Sequence, residues 1–142
     1  MSWETLLDED VRAFMDDHEG EDVASLALKK PPNQNWAYPT ILDQIKVRQK
    51  AALKTPKLRD TKGFVFPSSF LYEQASSEAC ASYKALITKD IKGVSFVDMT
   101  AGCGVDSFAL AEIFSQGVLV EKNTKNADLL AHNVQIMGQN LE

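Results

Sequence analysis

The stretch VDMTAGCGVDSFALAEIFSQGVLVEKN, residues 97–123, decides how the second half of this chain folds. It continues a short apolar segment, VSFVD, into a turn that holds two glycines one residue apart. A helical pattern, SFALAEIF, follows, and GVLVE is a second apolar segment of strand length. Two such strands joined through a helix are typical of a parallel sheet. The sequence therefore predicts an α/β fold.

The residues after this stretch add one more helix. TKNADLLAHNVQIMG begins at Thr124, the predicted helix cap. Its apolar residues recur at helical spacing and form one stripe, made of Ala127, Leu130, Ala131, Val134 and Met137. The order βαβα results, which is the opening of a parallel sheet.

The first part of the chain is predicted to be helical. Apolar spacing predicts helices over 4–17, 22–28 and 40–54. Residues 55–74 are predicted to be a loop with one short extended piece, FVF, and a further helix starts at Ser76 or Ser77 with Glu78 in its first turn. We divide the chain into a helical region, 1–90, and the start of a sheet domain, 91–142.

The glycine turn is a candidate ligand site. In a βαβ unit the turn after the first strand lies at the carboxyl end of the sheet, and glycines let backbone N–H groups approach a ligand closely. Gly102 and Gly104 fit that role. Glu121, at the end of the second predicted strand and 17 residues after Gly104, is placed to accept hydrogen bonds from both hydroxyls of a ribose.

Two residues favour S-adenosylmethionine over NAD as the ligand. The dinucleotide fingerprint has a third small residue, ideally glycine, where this chain has Ser107. Asp98 at the end of the first strand would repel a pyrophosphate but attract a cationic amino-acid group. S-adenosylmethionine carries an ammonium and a sulfonium, so the carboxylate suits it better.

The segments DMTAGCG and VLVEKN resemble motif I and the following acidic motif of class I S-adenosylmethionine-dependent methyltransferases. Over a wider range, about residues 70 to 138, YEQASSEACASYKALI followed by VDMTAGCGVDSFALA is similar to a bacterial family of methyltransferases that carry a THUMP-like domain. It is more distantly similar to trimethylguanosine synthases.

The resemblance implies a Rossmann-like sheet, methyl transfer and an RNA substrate, since THUMP-type domains bind RNA. It implies that Asp98 faces the methionine end and that Glu121 holds the ribose, with Lys122 beside it. Gln74 and Glu78 would lie near the methionine moiety. The backbone that lines the cofactor would be that of Thr100, Ala101, Gly102, Cys103 and Gly104.

Much of such an enzyme is missing from the sequence. A methyltransferase sheet has more strands than the two predicted here, and no residue of the chain is a credible catalytic base. We therefore expect a truncated, incomplete domain that is inactive by itself. Its exposed sheet edge predicts self-association.

Charge is distributed unevenly along the chain. The net charge is −5, but residues 29–92 carry twelve Lys or Arg against five acids, and residues 1–28 carry nine acids against Arg12. The basic segment could contact RNA phosphates. Alternatively, it pairs with the acidic leader or faces water.

Other features set limits on function. Two cysteines and two histidines without ligand-like spacing imply neither a disulfide framework nor a metal. The amino terminus does not resemble a signal peptide, and no apolar run is long enough to span a bilayer, so we expect a cytoplasmic location and no membrane contact. Two other functions stay open: an NAD-binding oxidoreductase fragment, and a noncatalytic helical interaction module.

Overall fold

The computed structural model describes residues 3–91 and 93–142, so Met1, Ser2 and Lys92 lie outside the described residues. Its elements are a 3₁₀ helix (Trp3–Leu7), α1 (Glu9–His18), α2 (Val23–Ala27), α3 (Tyr38–Lys54), α4 (Pro56–Asp60), α5 (Ser69–Gln74), α6 (Glu78–Thr88), β1 (Ser95–Asp98), α7 (Val105–Leu110), β2 (Gln116–Leu119) and α8 (Thr124–Met137). The predicted α/β class and the order βαβα are confirmed.

The sheet is parallel, as predicted. Ser95 of β1 lies opposite Gln116 of β2, and Asp98 lies opposite Leu119. On the other side of β2, Gly117 forms a parallel bridge with Leu141. Among the described residues β1 pairs with β2 alone, and self-association through its other edge stays a prediction.

The two faces of the sheet differ in how well they are covered. Strand residues alternate between faces, and Asp98 points to the face that carries α7, where it contacts Ser107. On the opposite face Val97, Val118 and Val120 are exposed. The sheet therefore buries one face and leaves an apolar surface on the other.

The helical region and the sheet region share a hydrophobic core. Val47 and Ala51 of α3 and Tyr72 of α5 pack in one cluster with Cys103 and Phe108 from the second half of the chain. A second cluster joins the leader helices to α3 and reaches α8. Buried contacts thus connect both sides of the predicted boundary at residue 90.

The prediction of a loop over residues 55–74 was wrong, because this segment contains α4 and α5. Pro56 occupies the first turn of α4, where its missing N–H costs no intrahelical hydrogen bond. Ser68 caps α5 by accepting a hydrogen bond from Leu71 N. Residues that suggested a break in the sequence therefore start helices in the structure.

Between these helices, the irregular segment at Val65 and Phe66 is held by two buried amide side chains. Gln44 of α3 donates to Phe66 O (2.6 Å) and accepts from Phe66 N (3.2 Å). Asn133 of α8 donates to Val65 O (2.8 Å) and accepts from Val65 N (3.0 Å). These bonds satisfy backbone groups that neither a strand nor a helix satisfies here.

Several predicted boundaries shift in the structure. The leader helix is split into a 3₁₀ helix and α1, and the helix after the glycine turn ends at Leu110 rather than near Phe114. The cap of α8 is Asn123, whose side chain accepts from two backbone N–H groups, and not Thr124. The predicted stripe is confirmed in part: Leu130 is buried and Val134 and Met137 pack against the core, whereas Ala131 is exposed and the buried face also includes Leu129 and Asn133.

Part of the basic segment pairs with the acidic leader. The Glu19 carboxylate contacts Arg48 (2.8 Å) and Arg59 (2.8 Å). Arg48 also pairs with Asp16, and Gln49 donates to the Glu19 carbonyl (2.8 Å). The pairing alternative is therefore observed at these residues.

Candidate cofactor-binding site

Two glycines give the turn after β1 its shape. Gly102 (φ +56°) and Gly104 (φ +80°) both adopt the left-handed conformation, which costs glycine little. Gly104 precedes α7 and accepts a hydrogen bond from Phe108 N (2.8 Å). A Cβ at Gly104 would lie 2.8 Å from both Leu130 and Phe108. A side chain at Gly104 is therefore disfavoured both by the backbone conformation and by the space that Leu130 and Phe108 occupy.

Asp98 joins the two ends of this turn. One carboxylate oxygen accepts from Thr100 N (3.1 Å), and the other accepts from the Ser107 hydroxyl (2.6 Å). Ser107 is fully buried, so this bond anchors α7 to the end of β1. Each carboxylate oxygen has a second lone pair that can accept a further hydrogen bond.

The backbone brings Glu121 to the same edge of the sheet. Val120 N donates to Asp98 O (2.8 Å), and Ala101 N donates to Val120 O (3.0 Å), so the strands stay paired up to Val120. Glu121 follows directly, and one oxygen of its carboxylate accepts from Asn123 N (2.7 Å). Paired strands lie about 4.8 Å apart, which places Asp98 and Glu121 on neighbouring strand ends.

Cys103 lies on the inner side of the turn and supports it through packing. Burial raises the pKa of its thiol to about 11, and the Tyr72 hydroxyl, whose pKa is also raised by burial, lies in the same cluster. A protonated, buried thiol is a poor nucleophile. If Cys103 contributes to a ligand site, it does so through its backbone.

The other predicted site residues differ in their surroundings. Thr100 and Lys122 are exposed, and Ala101 is buried. Gln74 ends α5 and is exposed. The Glu78 carboxylate accepts from Lys57 N (3.0 Å).

Glu78 also lines a cavity of about 270 Å³ together with Phe108 and Met137. Its carboxylate is thus engaged at the start of α4. The structure brings Asp98, the glycine turn and Glu121 to one edge of the sheet. The Glu78 carboxylate, by contrast, is hydrogen-bonded to Lys57 N in the helical region.

Sequence reasoning missed the residues that support the turn from behind. The Tyr72 hydroxyl and the Thr55 hydroxyl, both buried, are 2.7 Å apart. Asp106 accepts from Lys84 (2.8 Å) and from Ser76 (2.9 Å), which fixes the start of α6 against α7. No sequence spacing indicates these contacts, because each joins residues from separate elements.

The described residues include no cluster of three or more His, Cys, Asp or Glu side chains that could bind a metal ion. Likewise, none of the described helices combines the length and the hydropathy that crossing a bilayer requires.

Comparison with known proteins first defines the class of fold. No family model matches the chain, and no curated protein matches its sequence. A structural match covers the whole chain and shows an α/β fold shared with part of a larger protein.

The matching structure is the crystal structure of a "putative methyltransferase" from Porphyromonas gingivalis W83. The TM-score is 0.78 and the sequence identity is 22%. The match covers 100% of this chain and 35% of that protein, so the chain spans about a third of its length. At this identity the likeness shows a shared fold.

Proposed function

We propose that this chain is part of an S-adenosylmethionine-dependent methyltransferase and carries one side of its cofactor site, on the first strands of a Rossmann-like sheet. The observation that supports this most is the turn between Asp98 and Ser107, with Glu121 at the end of the neighbouring strand. The shared fold with the Porphyromonas gingivalis protein adds support. The activity belongs to the complete enzyme, and we propose that this part is inactive alone.

The residues of the edge fit the cofactor chemically. Asp98 has acceptor capacity left after its bonds to Thr100 and Ser107, and its charge suits the cationic methionine end. The Glu121 carboxylate can accept two ribose hydroxyls. Gly102 presents backbone without a Cβ, and the nearest atom such a Cβ would meet is 3.8 Å away. When bound, S-adenosylmethionine would supply the electrophilic methyl group.

Ser107 argues against a dinucleotide at this site. In the dinucleotide fingerprint, the third glycine allows a helix and a strand to pack closely beneath the pyrophosphate. Here that position is filled by a buried hydroxyl that binds Asp98. A pyrophosphate over this turn would face the Asp98 carboxylate at short range, which is unfavourable.

We propose RNA as the substrate of the complete enzyme. The support is the sequence resemblance to methyltransferases with a THUMP-like domain. The chemistry that the protein contributes would be mainly positioning, because the sulfonium already activates the methyl group.

Calorimetric titration of the protein with S-adenosylhomocysteine and, separately, with NAD tests the cofactor. We expect saturable binding of S-adenosylhomocysteine alone. Glu121→Gln should abolish it while keeping the turn intact, because the amide oxygen can still accept from Asn123 N. Asp17→Asn, an exposed carboxylate on α1, is the matched control and should bind like wild type.

The other outcomes decide against the proposal. Binding of NAD alone would indicate the oxidoreductase alternative. If neither compound binds, the turn is not a nucleoside site in this chain. If Glu121→Gln binds S-adenosylhomocysteine as tightly as wild type does, the ribose role of Glu121 is wrong.

A further inference from the structure

Three lysines lie along α3: Lys46 and Lys50 are exposed, and Lys54 is half-buried with its Nζ 4.9 Å from the Tyr72 ring centroid. Lys46, Lys50 and Lys54 follow one another at four-residue spacing, which places them along one helix face. We call these three residues the basic stripe. It is distinct from Arg48 and Arg59, whose charges are paired with the leader.

Helix α5 packs beside the basic stripe. Lys50 forms a salt bridge with Glu73 of α5, and Lys54 donates to the carbonyls of Tyr72 (2.9 Å) and Glu73 (3.1 Å). The Lys50 hydrogen bond, followed by the charges of Lys50, Lys46 and Lys54, lowers the pKa of Glu73. All three lysines are therefore close to one exposed point on α5.

An exposed aromatic ring lies on α5 one turn before Glu73. Phe70 is 75% exposed, although a ring of this size is normally covered. Residues three apart on a helix are neighbours, so the ring lies on the side of Glu73 and the basic stripe. Tyr72, by contrast, points inward and is fully buried.

The same two helices support the glycine turn with their inner sides. Val47 and Ala51 of α3 and Tyr72 of α5 pack in one cluster with Ala101 and Cys103 of the turn. The basic stripe and Phe70 are thus on the outer side of the elements that form the wall behind the candidate cofactor site.

We propose that the basic stripe and Phe70 form a binding surface for single-stranded RNA on the outer side of the helices that support the candidate cofactor site. Ammonium groups repeated along a helix can neutralise successive phosphates, and an exposed ring can stack on one unpaired base. Glu73 acts as a competing anion, which a phosphate displaces from Lys50. The proposed RNA substrate would bind at this surface, so this inference rests on the proposed function.

Fluorescence anisotropy with a labelled single-stranded RNA of about 12 nucleotides tests the surface. Phe70→Ala should weaken binding about 5- to 150-fold, the range for loss of one stacked base. The double variant Lys46→Gln with Lys50→Gln should weaken binding. It should also make the negative slope of log K against log salt shallower by about 1.4, which is about 0.7 for each of two lost phosphate contacts. Duplex RNA of the same sequence should bind more weakly, because its bases are not free to stack.

The chain offers a matched control surface. Leu28, Lys29 and Lys30 combine an exposed apolar residue with two exposed lysines, and Lys29 is paired with Glu21 much as Lys50 is paired with Glu73. Leu28→Ala, and Lys29→Gln with Lys30→Gln, should leave RNA binding unchanged. If these variants lose as much affinity as those on the stripe, binding reflects general charge and the proposal is wrong.

Glu73→Gln should strengthen RNA binding, whereas the lysine and Phe70 variants should weaken it. It removes the anion that competes with phosphate and releases Lys50, so RNA should bind more tightly and with a steeper salt dependence. Unchanged or weaker binding by this variant would overturn the role of the basic stripe.

Titration of the same variants with S-adenosylhomocysteine separates the two proposals. If wild type binds S-adenosylhomocysteine but no RNA, or binds RNA equally in all variants, the surface is wrong and the cofactor assignment stands. If RNA binding depends on Phe70 and the lysines while S-adenosylhomocysteine does not bind, the surface stands and the cofactor assignment fails.

Discussion

Asp98 has a structural task that its sequence position does not reveal. Its carboxylate closes the glycine turn by binding Thr100 N and the Ser107 hydroxyl, so the turn has its shape before any ligand arrives. Preorganised donors and acceptors lose less entropy when they bind. A nucleoside at this edge would meet a turn already held in place.

The two glycines of the turn should respond differently to substitution. The Cβ of Gly102→Ala would meet little steric contact. Its cost in folding stability, about 1–2 kcal/mol, comes mainly from the left-handed backbone conformation. Gly104→Ala has the same backbone cost and also forces Leu130 and Phe108 to move, so its loss should be larger. Urea unfolding of both variants measures the difference, and equal losses would contradict the packing at Gly104.

Cys103 should make the protein less stable at high pH. Burial raises the pKa of its thiol from 9.0 to about 11, so folding is favoured below pH 9 and the advantage is lost as pH rises to 11. Between pH 8 and 10, wild type should lose about 1 kcal/mol more stability than Cys103→Ser does. Urea unfolding at each pH measures this. If the free energy of unfolding changes with pH in the same way for wild type and Cys103→Ser, Cys103 does not titrate in this way.

Short helices depend on tertiary contacts, which the local sequence pattern does not show. The sequence predicts helix α3 from apolar periodicity, helix α6 from its serine cap and first-turn glutamate, and both strands from short apolar segments. Helices α4 and α5 have only five and six residues, too few for a periodic pattern, and packing against α3 helps to stabilise them. On α8 the predicted stripe did not include Leu129 and Asn133, which are buried because neighbouring elements also cover that side of the helix.

Asn133 should be important for stability although it is polar. Asn133→Leu would fill the space but leave Val65 N and Val65 O buried without partners, at about 1–3 kcal/mol for each group. We expect a total loss of about 2–6 kcal/mol in urea unfolding. Asn126→Ala, in the first turn of the same helix, is the control and should change little. A loss below that of the control would mean that Val65 finds other partners.

At the scale of the molecule, the acidic leader is attached to α3 and α4 by charge. The Glu19 side chain is 14% exposed and contacts two guanidinium groups. Glu19→Gln should lower stability by about 1–2 kcal/mol at low salt, between the values for exposed and buried pairs, and by less at about 1 M salt. Thermal unfolding at both salt concentrations, with Asp17→Asn as control, measures it. A salt-independent effect would point to packing instead.

The candidate site was only partly predictable from the sequence. Spacing alone placed Asp98, Gly102, Gly104 and Glu121 at one sheet edge, because parallel strands end on the same side. Tyr72 behind the turn could not be foreseen, since it meets Cys103 through folding of residues 31 positions apart. Glu78 was predicted beside the methionine moiety, yet its bond to Lys57 N shows a structural task as well.

The pair of amide side chains at Val65 and Phe66 also has a consequence for hydrogen exchange. Backbone N–H groups outside helices and strands usually exchange rapidly with solvent deuterium. Here the N–H groups of Val65 and Phe66 are bound to Asn133 and Gln44 inside the core. Both should exchange as slowly as the amides of α3, so an irregular segment would belong to the slowest-exchanging part of the molecule.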